Sequence, residues 1–284
     1  MRDRLTSYLL LFALILLPAC STFSSDDDEA EFVVTGERIS VLDAQREAYS
    51  VPTAPDAAIE LPIPAVRPDW PQAGGMTTHS NGHLVMASKP SVLWREDIGV
   101  GSNGSQKLLA QPIVAQDMIF AMDAEGTVSA YKAKDGEEVW ERETAPDHID
   151  GEAMGGGIAY DKAVIYASTG FGEIVALNAQ NGSVLWRRFL GKPLRSAPTI
   201  SDNRLFVISI ENETFALDAR TGLVLWQHRG IAESATLMGS SSPAVHGDTV
   251  VVAYSSGEVF GLRAQNGRVV WGEVLAMPRR IGAL

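Results

Sequence analysis

Ala133-Lys-Asp-Gly-Glu-Glu-Val-Trp140 is one of four copies of a single stretch. The others are Ala179-Gln-Asn-Gly-Ser-Val-Leu-Trp186, Ala219-Arg-Thr-Gly-Leu-Val-Leu-Trp226 and Ala264-Gln-Asn-Gly-Arg-Val-Val-Trp271. Each reads Ala-x-x-Gly-x-x-x-Trp. The Ala closes a strand, the Asp-Gly, Asn-Gly or Thr-Gly pair makes a tight hairpin with positive φ at Gly, and the apolar run ending in Trp opens the next strand. The tryptophans are separated by 46, 40 and 45 residues (140 to 186, 186 to 226, 226 to 271), and Leu93-Trp94 stands another 46 before the first. A period in the forties built from hairpins predicts propeller blades.

Outward from each motif the same frame repeats. In the third copy Ser196–Ser201, Arg204–Ile210, Glu213–Ala219 and Val224–Arg229 read as four strands, and the neighbouring copies fit the same division. Four strands per repeat make a blade, so the fold class is all-β, a propeller of four-stranded antiparallel blades. The second strands, such as Leu205-Phe206-Val207-Ile208, are continuously apolar, as expected where neighbouring blades cover both faces. The third strands, as in Ile174-Val-Ala-Leu177, are expected to alternate. Residues 70–284 hold about four to five blades, and the chain reaches Pro278-Arg279-Arg280-Ile281 where another would begin, so it reads as an incomplete ring, truncated on its C-terminal side.

The N-terminal third has a different composition. Arg2 and Arg4 precede an apolar run from Tyr8 to Leu17, too short to span a bilayer, which needs about 20 helical residues. Residues 1–19 therefore read as a secretion signal. The run ends in Leu17-Pro-Ala-Cys20, which resembles a bacterial lipobox; the resemblance implies that Cys20, the sole cysteine, carries the lipid, palmitate included, and that Ser21 after it directs sorting to the outer membrane. Several acyl chains hold a protein on a membrane far more firmly than one. Residues 20–69 then read as a tether, with the solvated acidic run Asp26-Asp27-Asp28-Glu29, a short helix within 36–49, and Pro52, Pro55, Pro62, Pro64 and Pro68. Loss of residues 1–19 leaves 21 basic against 34 acidic side chains, a net charge of −13. So acidic a body excludes nucleic acid as a partner, since phosphate would be repelled.

With lipobox, acidic tether, Trp70-Pro-Gln-Ala-Gly-Gly75 and Gly170-Phe-Gly-Glu-Ile-Val175, the docking repeat over 70–284 resembles the quinoprotein-type propellers, and within them the BamB family of outer-membrane assembly lipoproteins. The resemblance implies an eight-bladed scaffold without chemistry of its own. By that resemblance it is expected to bind BamA within the barrel-assembly machinery, to take unfolded outer membrane proteins as further clients, and to face the periplasm. It also implies that Pro193-Leu194-Arg195-Ser196-Ala197-Pro198 matches the family's contact loop, shortened here, so that Leu194 and Arg195 face BamA. The alternative is that Leu194 packs a blade edge and Arg195 is solvated. Trp140, Trp186, Trp226, Trp271, Gly136, Gly182, Gly222 and Gly267 are the structural docking positions.

Catalytic chemistry finds little support. His79, His83, His148, His228 and His246 are scattered without metal-ligand spacing, so no metal site is expected. Gly239-Ser-Ser-Ser242-Pro243 is no nucleophile elbow, and Gly155-Gly-Gly157 and Gly170-Phe-Gly172 lack the following Lys-Ser/Thr of a phosphate loop and read as hairpin turns. Asp123, Glu125, Asp218 and Glu258 flank turns. Neither catalytic residues nor cofactor are expected. Two other readings stay open: a relative of the pyrroloquinoline quinone dehydrogenases, and a ligand- or glycan-binding propeller lipoprotein.

Overall fold

The computed structural model describes residues 60–104, 106–146, 153–233 and 241–275. The signal, Cys20, the tether before residue 60, the short helix, His148 and the C-terminal Pro278–Leu284 lie outside the described residues. Four antiparallel sheets of four strands follow one another. The first blade is β1 (Ile113–Ala115), β2 (Met118–Met122), β3 (Thr127–Lys132) and β4 (Glu138–Glu143). The second is β5 (Gly156–Asp161), β6 (Val164–Thr169), β7 (Glu173–Asn178) and β8 (Val184–Phe189). The third is β9 (Thr199–Ser201), β10 (Arg204–Ile208), β11 (Glu213–Asp218) and β12 (Val224–Arg229). The fourth is β13 (Ala244–His246), β14 (Thr249–Ala253), β15 (Glu258–Arg263) and β16 (Val269–Val274).

Alternation along the middle strands feeds two cores at once. In β7, Val175 and Leu177 join the apolar cluster shared with the first blade, whereas Ile174 and Ala176 join the one shared with the third. In β10, Leu205 and Val207 face the second blade, and Phe206 and Ile208 the fourth. Third strands therefore do not alternate between core and solvent as expected: Ile174, Val175, Ala176 and Leu177 are all fully buried, because a blade lies on each face. The fourth strand is outermost, and Val184, Leu185, Leu223 and Leu225 are exposed although they belong to the motif's apolar run.

The motif builds the joints between blades. Its Gly takes φ of 78°, 66°, 70° and 70° at Gly136, Gly182, Gly222 and Gly267. The residue before it accepts a hydrogen bond from the N–H just beyond: Asp135 from Glu137, Asn181 from Ser183, Thr221 from Leu223 and Asn266 from Arg268. Such short oxygen-bearing side chains stabilise tight turns. The indole of each blade then lies on the Gly of the next. A Cβ added at Gly136, Gly182, Gly222 or Gly267 would come within 2.5–2.7 Å of the ring of Trp94, Trp140, Trp186 or Trp226. The motif Ala lies just past its strand, with its N–H bonded within its own blade, as Ala179 to Ala163 O and Ala264 to Asp248 O. That leaves the Ala carbonyl free to accept the incoming indole N–H: Trp94 to Ala133 at 3.0 Å, Trp140 to Ala179 at 2.9 Å and Trp226 to Ala264 at 2.9 Å.

The copy ending in Trp94 docks its indole but builds no sheet among the described residues. It has Pro90 where the others have Gly, and the pyrrolidine ring forbids the positive φ that the turn requires. At the other end Trp271 is 42% exposed, against 8% for Trp140 and 9% for Trp226. Its docking surface is uncovered among the described residues.

Candidate partner-binding site

Up-and-down topology puts the four motif turns on one face of the blades. On the opposite face lie the turns between second and third strands and the connections from blade to blade. Residues 190–198 form one such connection. Leu190 N–H bonds to Gly172 O and Leu194 N–H to Thr169 O on the second blade, while Ile210 N–H reaches Pro193 O from the third. A single bridge joins Leu194 to Ser209. The connection is thus stitched to the turns of both blades it joins.

Leu194 is fully buried in the apolar cluster between those blades, beside Ile174, Leu205 and Phe215. Of the two alternatives for its side chain, packing describes it. Arg195 is half-buried, and its backbone and stem lie against Gly155, where a Cβ would come within 2.8 Å of Arg195 Cγ and 2.9 Å of Leu194 O. Gly157 is likewise closed off by Ala197, at 2.7 Å. The glycine run 155–157 is therefore no hairpin turn: Gly156 and Gly157 belong to β5, the 190–198 loop crosses Gly155 and Gly157 too closely for side chains, and at Gly156 a Cβ would strike Ser168 O. Ser168 Oγ donates to Ser196 O at 2.6 Å and completes the seat.

Arg195 lines a cavity of about 400 Å³ with Gln111, His79, Ser196, Ser241 and Ser242. Ser196 is 3% exposed, and burial pushes the His79 imidazole below its ordinary value. A planar guanidinium with amide and hydroxyl neighbours suits recognition of hydrogen-bond acceptors. Beside it, Lys192 Nζ bridges Glu211 at 2.6 Å and Glu213 at 2.8 Å, and Arg229 reaches Glu213 at 2.9 Å. Burial alone would raise the Glu213 carboxyl, but hydrogen bonds from Lys192 and Arg229 outweigh it and hold it below the usual carboxylate range.

Three of the four carboxylates flanking the turns are committed to structure, and Glu125 is exposed. Asp123 accepts from the N–H groups of Val100, Glu125 and Thr127, Asp218 from those of Arg220 and Thr221, and Glu258 from Ile231 N–H and Ser256 Oγ. Three or more His, Cys, Asp or Glu side chains do not gather at a metal-binding distance anywhere among the described residues. Sequence reasoning missed a second docking bond two positions beyond the Trp: Arg142 Nε donates to Gly182 O and Arg188 Nε to Gly222 O. A basic residue at a fixed offset from the motif was the available signal.

The family model described as "Outer membrane protein assembly factor BamB" matches residues 75–150 and 124–284. The chain belongs to the BamB family. Among its relatives are the uncharacterized protein RP232 of Rickettsia prowazekii, 32% identical over 171 residues (60% of this chain, 41% of that one), and BamB of Shewanella oneidensis, 28% identical over 196 residues (66% and 49%). Among solved structures it is similar to BamB from Moraxella catarrhalis, with TM-score 0.52 and 24% identity over 58% of this chain and 49% of that one. It is also similar to a quinohemoprotein alcohol dehydrogenase of Pseudomonas putida, with TM-score 0.59 and 15% identity over 72% and 40%. Both likenesses show the propeller fold alone. The BamB-family chain spans about half the length of the relatives it matches, 41% and 49% of the two named.

Proposed function

We propose that this BamB-family chain is a non-catalytic scaffold of outer-membrane β-barrel assembly, held on the periplasmic side of the outer membrane by lipid on Cys20, and that it binds BamA. The observation that carries the reading is the loop Pro193–Pro198: both flanking blades pin its backbone, Leu194 anchors it from inside, and Arg195 lines a polar cavity. A rigid loop that presents an arginine is a favourable binding element, because little ordering entropy is lost on association. The engagement of Asp123, Asp218 and Glu258 by turn N–H and hydroxyl groups supports a scaffold over an enzyme.

The test is a titration of the soluble periplasmic domains of BamA against the mature chain and its Arg195→Ala variant. The scaffold reading expects binding that weakens about tenfold or more in the variant, equivalent to about 1.4 kcal/mol, with an unchanged melting temperature. Equal binding by the two proteins removes Arg195 from the interface, and no binding by a folded wild-type chain removes the reading.

A further inference from the structure

Residues 70–77 run across the inner edges of all four blades, and they meet each blade at the same place. Trp70 exchanges both backbone hydrogen bonds with Val114, at 2.7 and 2.9 Å. Tyr160 N–H donates to Pro71 O at 2.7 Å, and Val245 N–H to Thr77 O at 2.6 Å. At the third blade a side chain replaces the backbone: Gln72 Nε2 donates to Ile200 O at 3.0 Å, and Ile200 N–H donates to Gln72 Oε1 at 2.9 Å. Val114, Tyr160, Ile200 and Val245 each lie 26 residues before the tryptophan of their own blade (114 to 140, 160 to 186, 200 to 226, 245 to 271). They are the equivalent first-strand positions, paired with Ile119, Ile165, Leu205 and Val250 on the second strands.

The edge of a first strand presents unpaired N–H and C=O groups, which a crossing segment can satisfy one blade at a time; only Trp70 does so as a β-bridge. Here one such position recurs per blade, so the blades together make a periodic track. The amide of Gln72, 5% exposed, reproduces the donor and acceptor of a peptide unit. Gly75 lets the segment fold back, since a Cβ there would stand 2.9 Å from the Trp70 ring. We propose that the inner edges of the four blades form a binding site for one turn-containing polypeptide segment, recognised through backbone groups and a single carboxamide, and that residues 70–77 occupy it in cis. The segment's Ala73 and Gly74 line the same cavity as Arg195, but the inference does not rest on the BamA reading, because its test needs no partner.

The full chain and its Gln72→Ala variant are compared by native-state hydrogen exchange at the amides of Val114, Tyr160, Ile200 and Val245. Each is then titrated with a labelled synthetic peptide of residues 69–79. Exchange is expected to quicken at all four amides together, by at least tenfold, with the β10–β11 ladder unchanged. The peptide is expected to bind the variant at least tenfold more tightly than the wild-type chain and to restore protection. A peptide carrying Gln72→Glu, unable to donate to Ile200 O, is expected to bind at least tenfold more weakly. Should Gln72→Ala fail to fold, Gln72→Asn, one methylene shorter, is read the same way. Quickening confined to Ile200, no peptide binding once the four amides have opened, or equal binding of the Gln and Glu peptides would each overturn the proposal.

Discussion

Gly182 is glycine for two separate reasons. Its φ of 66° belongs to the left-handed region, and a Cβ would stand 2.5 Å from Trp140 Cε3. Left-handed backbone costs about 1–2 kcal/mol for a residue with a Cβ, and overpacking adds about 1–3 kcal/mol. Gly182→Ala should therefore destabilise the protein by about 2–5 kcal/mol, read as a lowered urea midpoint with unchanged slope. Ala163 is the opposite case: it is an alanine at φ 65° in the turn between β5 and β6. Ala163→Gly should raise stability by about 0.5–1 kcal/mol in the same measurement, the relief of strain being partly offset by glycine's larger backbone entropy. Leu194→Ala should cost about 2–5 kcal/mol, because the residue is fully buried and its cavity is walled by two blades. The sequence discloses the turn glycine, since Asn-Gly and Asp-Gly carry the hairpin signal locally. It does not disclose the indole lying on that glycine, which comes from the preceding repeat.

Between the first and second blades the joint is a pair of bonds, Trp140 to Ala179 O and Arg142 to Gly182 O, and between the second and third Arg188, likewise two residues beyond its Trp, bonds Gly222 O. The third blade has His228 at that offset, and its joint is built differently. The imidazole stacks on Tyr254 at 7° between ring planes, meets Phe260 edge-on, and hydrogen-bonds the Tyr254 hydroxyl at 2.8 Å. That hydroxyl is itself bonded to Thr214. Burial lowers the His228 pKa, and the nearby Glu258 carboxylate only partly opposes this. The unfolded chain then binds the proton more readily than the folded one. The contribution of His228 is complete above the unfolded value of about 6.5 and is lost as pH falls below it. Urea midpoints taken downward from pH 7.5 should drop more steeply in the wild type than in a His228→Gln variant, and parallel curves would refute the assignment. Blade boundaries were legible because punctuation and period agree in every copy. Strand burial was less so: alternation in a third strand such as β7 separates one core from another, a distinction that hydrophobic pattern alone does not carry.

Across the molecule, fold and site differ in how much the sequence reveals. The fold repeats, so four copies reinforce one reading, and the BamB family match covers the same residues. The site is a single loop without periodicity, and its geometry depends on long-range contacts: Ser196 O is held by Ser168, and Gly155 and Gly157 make room for Arg195 and Ala197. A glycine run read along the chain looks like a turn; only the crossing of another segment shows why side chains are excluded. The strap over 70–77 was hidden for the same reason, since its partners lie up to 168 residues away (Thr77 to Val245). In the proposed function the face bearing residues 190–198 receives BamA. Hydrogen-exchange mass spectrometry of the mature chain, with and without the soluble periplasmic domains of BamA, tests it most directly. The account predicts protection on 190–198 and on the neighbouring turns at 170–172 and 210–212, with the motif turns at 133–137 and 179–182 unchanged. Protection centred on the motif turns, or none on either face at saturating partner, would contradict it.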